Sequence, residues 1–366
     1  MTVVGQIVPA LPPAVGGLGD YALGLALELR ARCVASRFLT GARGCGAVSG
    51  VAGDRLDRRN GRALAVMLAG NDTVLAHVSG YGYARWGLCF WLADGLARWR
   101  GEGAGRRLVT VFHELYATGP VWRTSFWTSP AQRRIARRIA AASDAMIATS
   151  PQGAARLRAW EPNKRVAMVP VFSNVGELAS PPPLAARAPV AVVFGGGHRA
   201  RTWHAVAAEA DAVGAALRAL GVERVVDIGP PVSGVPDALA GLPVAPLGPL
   251  PAAEVSAQLA DARAGLVDYP LHVLTKSGIV AAYLAHGTLC VNTSRVGELP
   301  ADLAEGREFL HPARLAGGGV DGEAVAAAGH RWYRGHDVAA TSVYPAKSWW
   351  LRPLLGAPSI VLWAKP

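Results

Sequence analysis

At 366 residues the chain is long enough for two domains, each able to bury its own core. With 51% hydrophobic and 17% charged residues it is not a disordered chain, and four cysteines (Cys33, Cys45, Cys89, Cys290) without a CxxC pair fit neither a zinc site nor a disulfide framework. The net charge of +11 rests almost wholly on arginine, lysine occurring only at Lys164, Lys276, Lys347 and Lys365; it points to an anionic partner, or to the GC-rich coding that the abundant Ala, Gly and Pro also suggest.

In chain order, Val3–Val8 reads as a buried strand, Asp20–Arg32 as an amphipathic helix, and Thr73–Val78 and Leu108–Phe112 as strands. Pro130–Ala142 follows as a basic helix, then Ala145–Ala148 and Val166–Pro170 as strands. The apolar region from Ala63 to Trp99 is broken by Asn71, Asp72, His77 and glycines, so it reads as core elements and not as a membrane span. The start of the chain lacks a signal-peptide pattern, and a reducing cytoplasm is the expected setting. "SPPPLAARAP" marks a linker over residues 180–189, since consecutive prolines continue neither a helix nor a central strand.

Beyond it, strands at Val190–Phe194, Arg224–Ile228, Val244–Pro246, Gly265–Asp268 and Leu289–Asn292 alternate with helices at Thr202–Leu220, Ala252–Ala260 and Ser277–His286. The expected fold is α/β: a Rossmann-like domain over residues 1–179 and a second over 190–345, both doubly wound and facing across a cleft where ligands of open sheets bind. Residues 346–366 are expected to pack back onto the first domain.

Several short stretches carry chemistry. "VGGLGDY" sets Gly16, Gly17 and Gly19 between a strand and a helix, where unpaired amides and the helix dipole suit an anion. "VTVFHELY" places His113 and Glu114 directly after a buried strand. "VVFGGGHRARTWH" brings Gly195, Gly196 and Gly197 before Arg199 and Arg201, whose guanidinium groups suit phosphate oxygens. "VVDIGPP", "APLGPL" and "LVDYPLHVLTKSGIVAAYLAHGTLCVNT" complete the series.

Taken in this order, the stretches resemble the GT-B fold glycosyltransferases, most closely the large retaining group called family 4, and the resemblance covers nearly the whole chain. It implies transfer of a hexose from a nucleotide-diphosphate sugar to a saccharide or lipid-linked acceptor, retaining, with no metal and no cofactor beyond the donor. On this resemblance His113 contacts the transferred sugar and Glu114 orients it or binds the acceptor. The donor is held by Gly16, Gly17, Gly196, Gly197, one or other of Arg199 and Arg201, Gly229 and the Leu250 backbone; apart from the resemblance, Lys276 with the Ser277 and Gly278 amides at a helix start reads as a second phosphate-binding corner, or Lys276 as an exposed cap residue. Gly19, Asp20, Tyr21 and Trp122 lie on the acceptor side. The family's two glutamates align with Leu274 and Ala282, neither acidic.

Arg133, Arg134, Arg137 and Arg138 share one helix face, which suits an anionic membrane surface as well as it suits plain solvent. No motif for nucleic acid is present. Two other readings accompany the transferase: a nucleotide-sugar epimerase, and a non-catalytic sugar-nucleotide-binding or scaffold protein, which the missing glutamates favour.

Overall fold

The computed structural model describes residues 2–12, 16–41, 47–56 and 58–347. The chain divides into two compact units, Met1–Val169 with Val338–Pro366, and Pro170–Asp337.

In the first unit, β1 (Thr2–Val8), β2 (Val34–Thr40), β3 (Ala52–Arg55), β4 (Thr73–Val78), β5 (Arg107–Phe112), β6 (Ala145–Ala148) and β7 (Arg165–Met168) form one parallel sheet in the order β3-β2-β1-β4-β5-β6-β7. The order reverses between β1 and β4, so the loops leaving their carboxyl ends diverge and open a crevice. β4 is buried throughout, as a central parallel strand must be. Helices Gly61–Leu68 and Phe90–Gly101 cover one face, and buried Trp99 donates its indole N–H to Leu68 O at 2.8 Å.

In the second unit, β8 (Ala188–Phe194), β9 (Arg224–Ile228), β10 (Ala238–Leu239), β11 (Leu242–Gly248), β12 (Ala262–Val267) and β13 (Leu289–Asn292) are ordered β10-β11-β9-β8-β12-β13, parallel except for the short β10–β11 pair. Here the reversal falls between β8 and β12. Gly265 lets the Tyr283 ring lie on β12, where a Cβ would come within 2.3 Å of the ring, and the Tyr283 hydroxyl donates to Val192 O and Leu266 O.

The boundary differs from the expected proline-rich linker. Residues 170–180 belong to the second unit, where Val171 N donates to Thr275 O, Ser173 N to the Tyr333 hydroxyl, and Leu178 N to Ala285 O. The proline run is tied to that unit as well, through the Pro181 ring and the Pro182 carbonyl. A Cβ on Gly287, which has φ +59°, would meet Pro181 at 2.8 Å, and buried Arg187 donates to the carbonyls of Pro182, Ala262 and His286. A proline that cannot join a helix or strand is still held in place when an arginine collects its carbonyl together with those of the neighbouring strand and helix ends.

Two helices also depart from expectation. The basic helix runs Thr124–Ala142, with Pro130 inside it instead of opening it. The stretch expected as one helix is two, Arg199–Ala208 and Ala210–Ala219, broken at Glu209 (φ −115°, ψ 30°), whose carboxylate lies 3.4 Å from His311 Nε2. At the other end of the chain, helix Val338–Lys347 belongs to the first unit, where Arg32 reaches Ala339 O; the remainder of the 346–366 segment lies outside the described residues. Among the described residues no helix is long and apolar enough to cross a membrane.

Arg187→Ala is expected to lower the unfolding free energy by about 3 kcal/mol, because it strands several buried carbonyls at once. Urea denaturation of the purified protein measures this, and a change within about 0.5 kcal/mol, the scale of a surface substitution, would return the prolines to a mobile linker.

Candidate functional site

Each unit carries one cluster at its own strand reversal. In the first, three central strands each bring one polar side chain to the carboxyl end of the sheet: Gln6 from β1, His77 from β4, and His113 just past β5. Gln6 and His77 are fully buried, and His113 is half-buried. They form a chain. Gln6 Nε2 donates to Ser36 Oγ at 2.8 Å, which turns the Gln6 carbonyl oxygen toward His77 Nε2 at 2.9 Å. His77 then carries its proton on Nε2, leaving Nδ1 to accept from His113 Nε2 over a long 3.4 Å. Burial first, and neighbouring His113 second, hold the His77 pKa well below the ordinary histidine value.

Tyr21, on helix Gly17–Ala31, sets its ring edge-on against both imidazoles, with centroids 4.9 Å from His113 and 5.9 Å from His77. Its ring is buried, and that burial raises its pKa. The same helix opens with exposed Gly16 and Gly17, while Gly19 serves close packing, since a Cβ there would come within 2.5 Å of Ala10 O. Asp20 falls in the first turn, where its charge complements the helix dipole. Glu114 is exposed and accepts from Ser79 Oγ at 3.0 Å. Trp122 stands apart on the loop before helix Thr124–Ala142, 79% exposed.

In the second unit the loop Gly195–Gly197 follows β8, and Gly196 and Gly197 are exposed with open space where a Cβ would stand. Gly195 has φ +134°, and a Cβ there would meet Ile279 at 2.8 Å, so this loop adjoins the start of helix Gly278–Ala285. Half-buried Lys276 and buried Ser277 lead into that helix. Ser277 Oγ accepts from Val280 N, and the first-turn amides of Gly278 and Ile279 have no acceptor within the helix.

The two candidate arginines differ sharply. Arg199 is 1% exposed, with Nε and Nη2 on the Asp227 carboxylate at 2.6 and 3.1 Å and further bonds to Gly195 O and Pro230 O. Arg201 lies on the solvent side of the same helix, its side chain 49% exposed and its Nε 2.8 Å from Asp268 Oδ2. Gly229 (φ +144°) passes directly under Arg199, where a Cβ would meet Nη1 at 2.0 Å. Leu250 is half-buried in the loop after β11. Leu274 and Ala282 are both core residues, 2% and 0% exposed. Among the described residues no group of three or more His, Cys, Asp or Glu side chains is placed to hold a metal ion.

Two Rossmann-like units of this topology, each with its polar cluster at the strand reversal, define the GT-B fold, and the chain has it. Solved structures agree. An alpha-glucosyltransferase bound to UDP and a 13-mer DNA aligns over 94% of this chain and 98% of its own, with TM-score 0.58 at 11% identity. A putative UDP-N-acetylglucosamine 2-epimerase from Listeria monocytogenes aligns over 97% of both chains, with TM-score 0.62 at 12% identity. An alpha,alpha-trehalose 6-phosphate synthase from Burkholderia multivorans aligns over 97% of this chain and 96% of its own, with TM-score 0.57 at 13% identity. Comparison of the sequence with described protein families and with curated proteins finds no match.

Because His77 is held neutral in the folded protein while the unfolded chain protonates near pH 6.5, its contribution to stability is present above that pH and is lost as pH falls below it. His77→Asn is expected to flatten the loss of unfolding free energy between pH 7 and pH 5, by a slope approaching 1.4 kcal/mol per pH unit. Buried His286 and His336, also shifted down, keep the residual slope. Denaturation at a series of pH values checks this, and parallel curves for the two proteins would contradict it.

Proposed function

We propose that this protein is a glycosyltransferase that moves a hexose from a nucleotide-diphosphate sugar to a saccharide or lipid-linked acceptor, with retention, without a metal, and in peripheral contact with an anionic membrane. The observation that carries the reading lies in the second unit, where an open Gly196–Gly197 loop leads into the helix that bears solvent-facing Arg201, and Gly195 lies against Ile279 in the first turn beyond the Lys276–Gly278 corner. Together they offer a diphosphate one guanidinium, one ammonium and a set of backbone amides. Arg201 is the phosphate ligand in this reading, and Arg199 shapes the loop from beneath. Uracil is the base to test first, since several similar structures hold UDP.

His113 serves the sugar. Its Nε2 proton is directed to His77, which fixes the ring and its tautomer, so that the imidazole presents a set orientation to a sugar hydroxyl while positive charge grows at the anomeric carbon. As the glycosidic bond to the diphosphate breaks, negative charge collects on the leaving oxygens, and Arg201, Lys276 and the helix amides offset it. Gly16 and Gly17 give the first unit a second set of exposed amides at a helix N-terminus.

The likeness to a putative epimerase favours a second reading, a nucleotide-sugar epimerase acting on the donor alone. Incubation with UDP-N-acetylglucosamine and no acceptor separates the two, because an epimerase accumulates a second sugar nucleotide and a transferase does not.

Thermal unfolding with UDP, GDP, ADP and dTDP is expected to show stabilisation by UDP of about 2.7 kcal/mol at a hundred times its dissociation constant. Lys276→Ala and Arg201→Ala are each expected to weaken that binding about tenfold or more, the scale of one charged hydrogen bond. Arg199→Ala is instead expected to destabilise the free protein by about 3–5 kcal/mol, since it leaves Asp227 buried and unpaired. A protein that responds to none of the nucleotides would favour the non-catalytic reading.

A further inference from the structure

Helix Thr124–Ala142 and the loop before it form a surface unlike the rest of the first unit. Ile135 and Ile139, the apolar side of the helix, are 3% and 0% exposed and belong to the core. Arg133, Arg134, Arg137 and Arg138 on the opposite side are all exposed. A groove of about 1080 Å³ runs beside this arginine row and is walled by Tyr116, Phe126, Trp127 and Trp160. Arg137 stands over the Trp160 ring at 5.3 Å, and Arg156 over Tyr116 at 5.1 Å. The acids nearby are engaged already, Asp94 with Arg138 at 2.5 Å and Glu161 with Lys164 at 3.2 Å.

At the amino end of the helix the surface changes character. Trp122 is 79% exposed, Trp127 72%, and Val121 and Phe126 roughly half. Val121, Trp122, Phe126 and Trp127 together make an exposed apolar patch of the kind that marks an interaction surface. Trp122, Phe126 and Trp127 gather at the amino end of the helix with exposed Arg123 among them, and four further exposed arginines follow along its next turns. That order matches a bilayer surface, where indole rings enter the headgroup boundary and arginines meet anionic headgroups beside them. Stacking of nucleic-acid bases calls for open ring faces, whereas Phe126 and Trp127 are locked edge to face at 83°, the Trp127 indole N–H is taken by Val121 O, and Arg137 and Arg156 stand over the Trp160 and Tyr116 rings.

We infer that this face is the membrane-docking surface of the protein: Trp122 and Trp127 enter an anionic lipid surface while Arg133, Arg134 and Arg137 hold its phosphate-bearing headgroups along the groove. The inference deepens the membrane contact in the proposed function. The vesicle assay contains neither donor nor acceptor, so its failure leaves glycosyl transfer standing, and a failed transferase assay leaves the docking surface standing.

The test is co-sedimentation of the full chain with phosphatidylcholine vesicles, with and without phosphatidylglycerol, at low and raised salt. Binding is expected only to the anionic vesicles and is expected to weaken with salt. Trp122→Ser with Trp127→Ser, and separately Arg133→Gln with Arg134→Gln, are each expected to reduce it about tenfold or more, on the scale of two headgroup contacts. Quenching of tryptophan fluorescence by brominated lipid in the unmodified protein gives a reading that depends on no variant. Equal binding to neutral and anionic vesicles, no binding, absence of quenching, or variants that bind as the parent does would each overturn the inference. Retention of a single-stranded oligonucleotide by the same arginines, with no vesicle binding, would assign the face to nucleic acid instead.

Discussion

One buried carboxylate sets the geometry of the second unit. Asp227, near the end of β9, accepts from Arg199 through two nitrogens and from the Trp203 indole at 2.7 Å. An isolated carboxylate at that depth would be very costly, and the arginine that pairs with it is equally buried, so neither can leave without the other. The remaining Arg199 donors reach Gly195 O and Pro230 O, so one guanidinium ties together the ends of β8 and β9 and the helix between them. The glycines follow from this. With Arg199 occupying that space, the backbone at Gly229 passes too close for any side chain, and Gly195, at φ +134°, has Ile279 where a Cβ would stand. The exposed loop that Gly196 and Gly197 form is thus held on a rigid base, with its own surface open.

The first unit reaches a similar result with neutral groups. Gln6 and His77 are buried polar side chains in central strands, and each meets the other's requirement for a partner. The chain they form ends at His113, which inherits a fixed orientation from a network lying wholly beneath it. A charged version of this network would repel itself: protonating His77 removes the acceptor that His113 uses and places a cation in a fully buried site.

Much of this fold was legible from apolar runs. β4, β6, β9 and β13 fall on the residues that their hydrophobic patterns mark, because central parallel strands, and the covered edge strand β13, are buried on both faces. β3, reading AGDR at the sheet edge, has no such pattern and was silent. The candidate site was legible where a polar residue ends an apolar strand, as His113 does, and illegible where it hides inside one. Gln6 and His77 are single polar letters in "TVVGQIV" and "TVLAHV"; the usable signal was that each must find a buried partner. Helical phase would have separated the arginines, since Arg199, Trp203 and Val206 share the buried face and Arg201 does not. The proline-rich stretch misled for a different reason: composition speaks to backbone freedom, while the placement of residues 181–183 depends on a carbonyl-collecting arginine four to six residues away.

The packing of Leu274 and Ala282 limits what a single substitution can do there. Where relatives of the resembled family carry glutamates, these two side chains are 2% and 0% exposed and locked among neighbours of the second core. A glutamate written back at either place would arrive as a buried charge, and it would have to be neutralised or paired before it could serve any ligand. At these two positions a single substitution therefore introduces a buried charge before it can introduce a ligand contact.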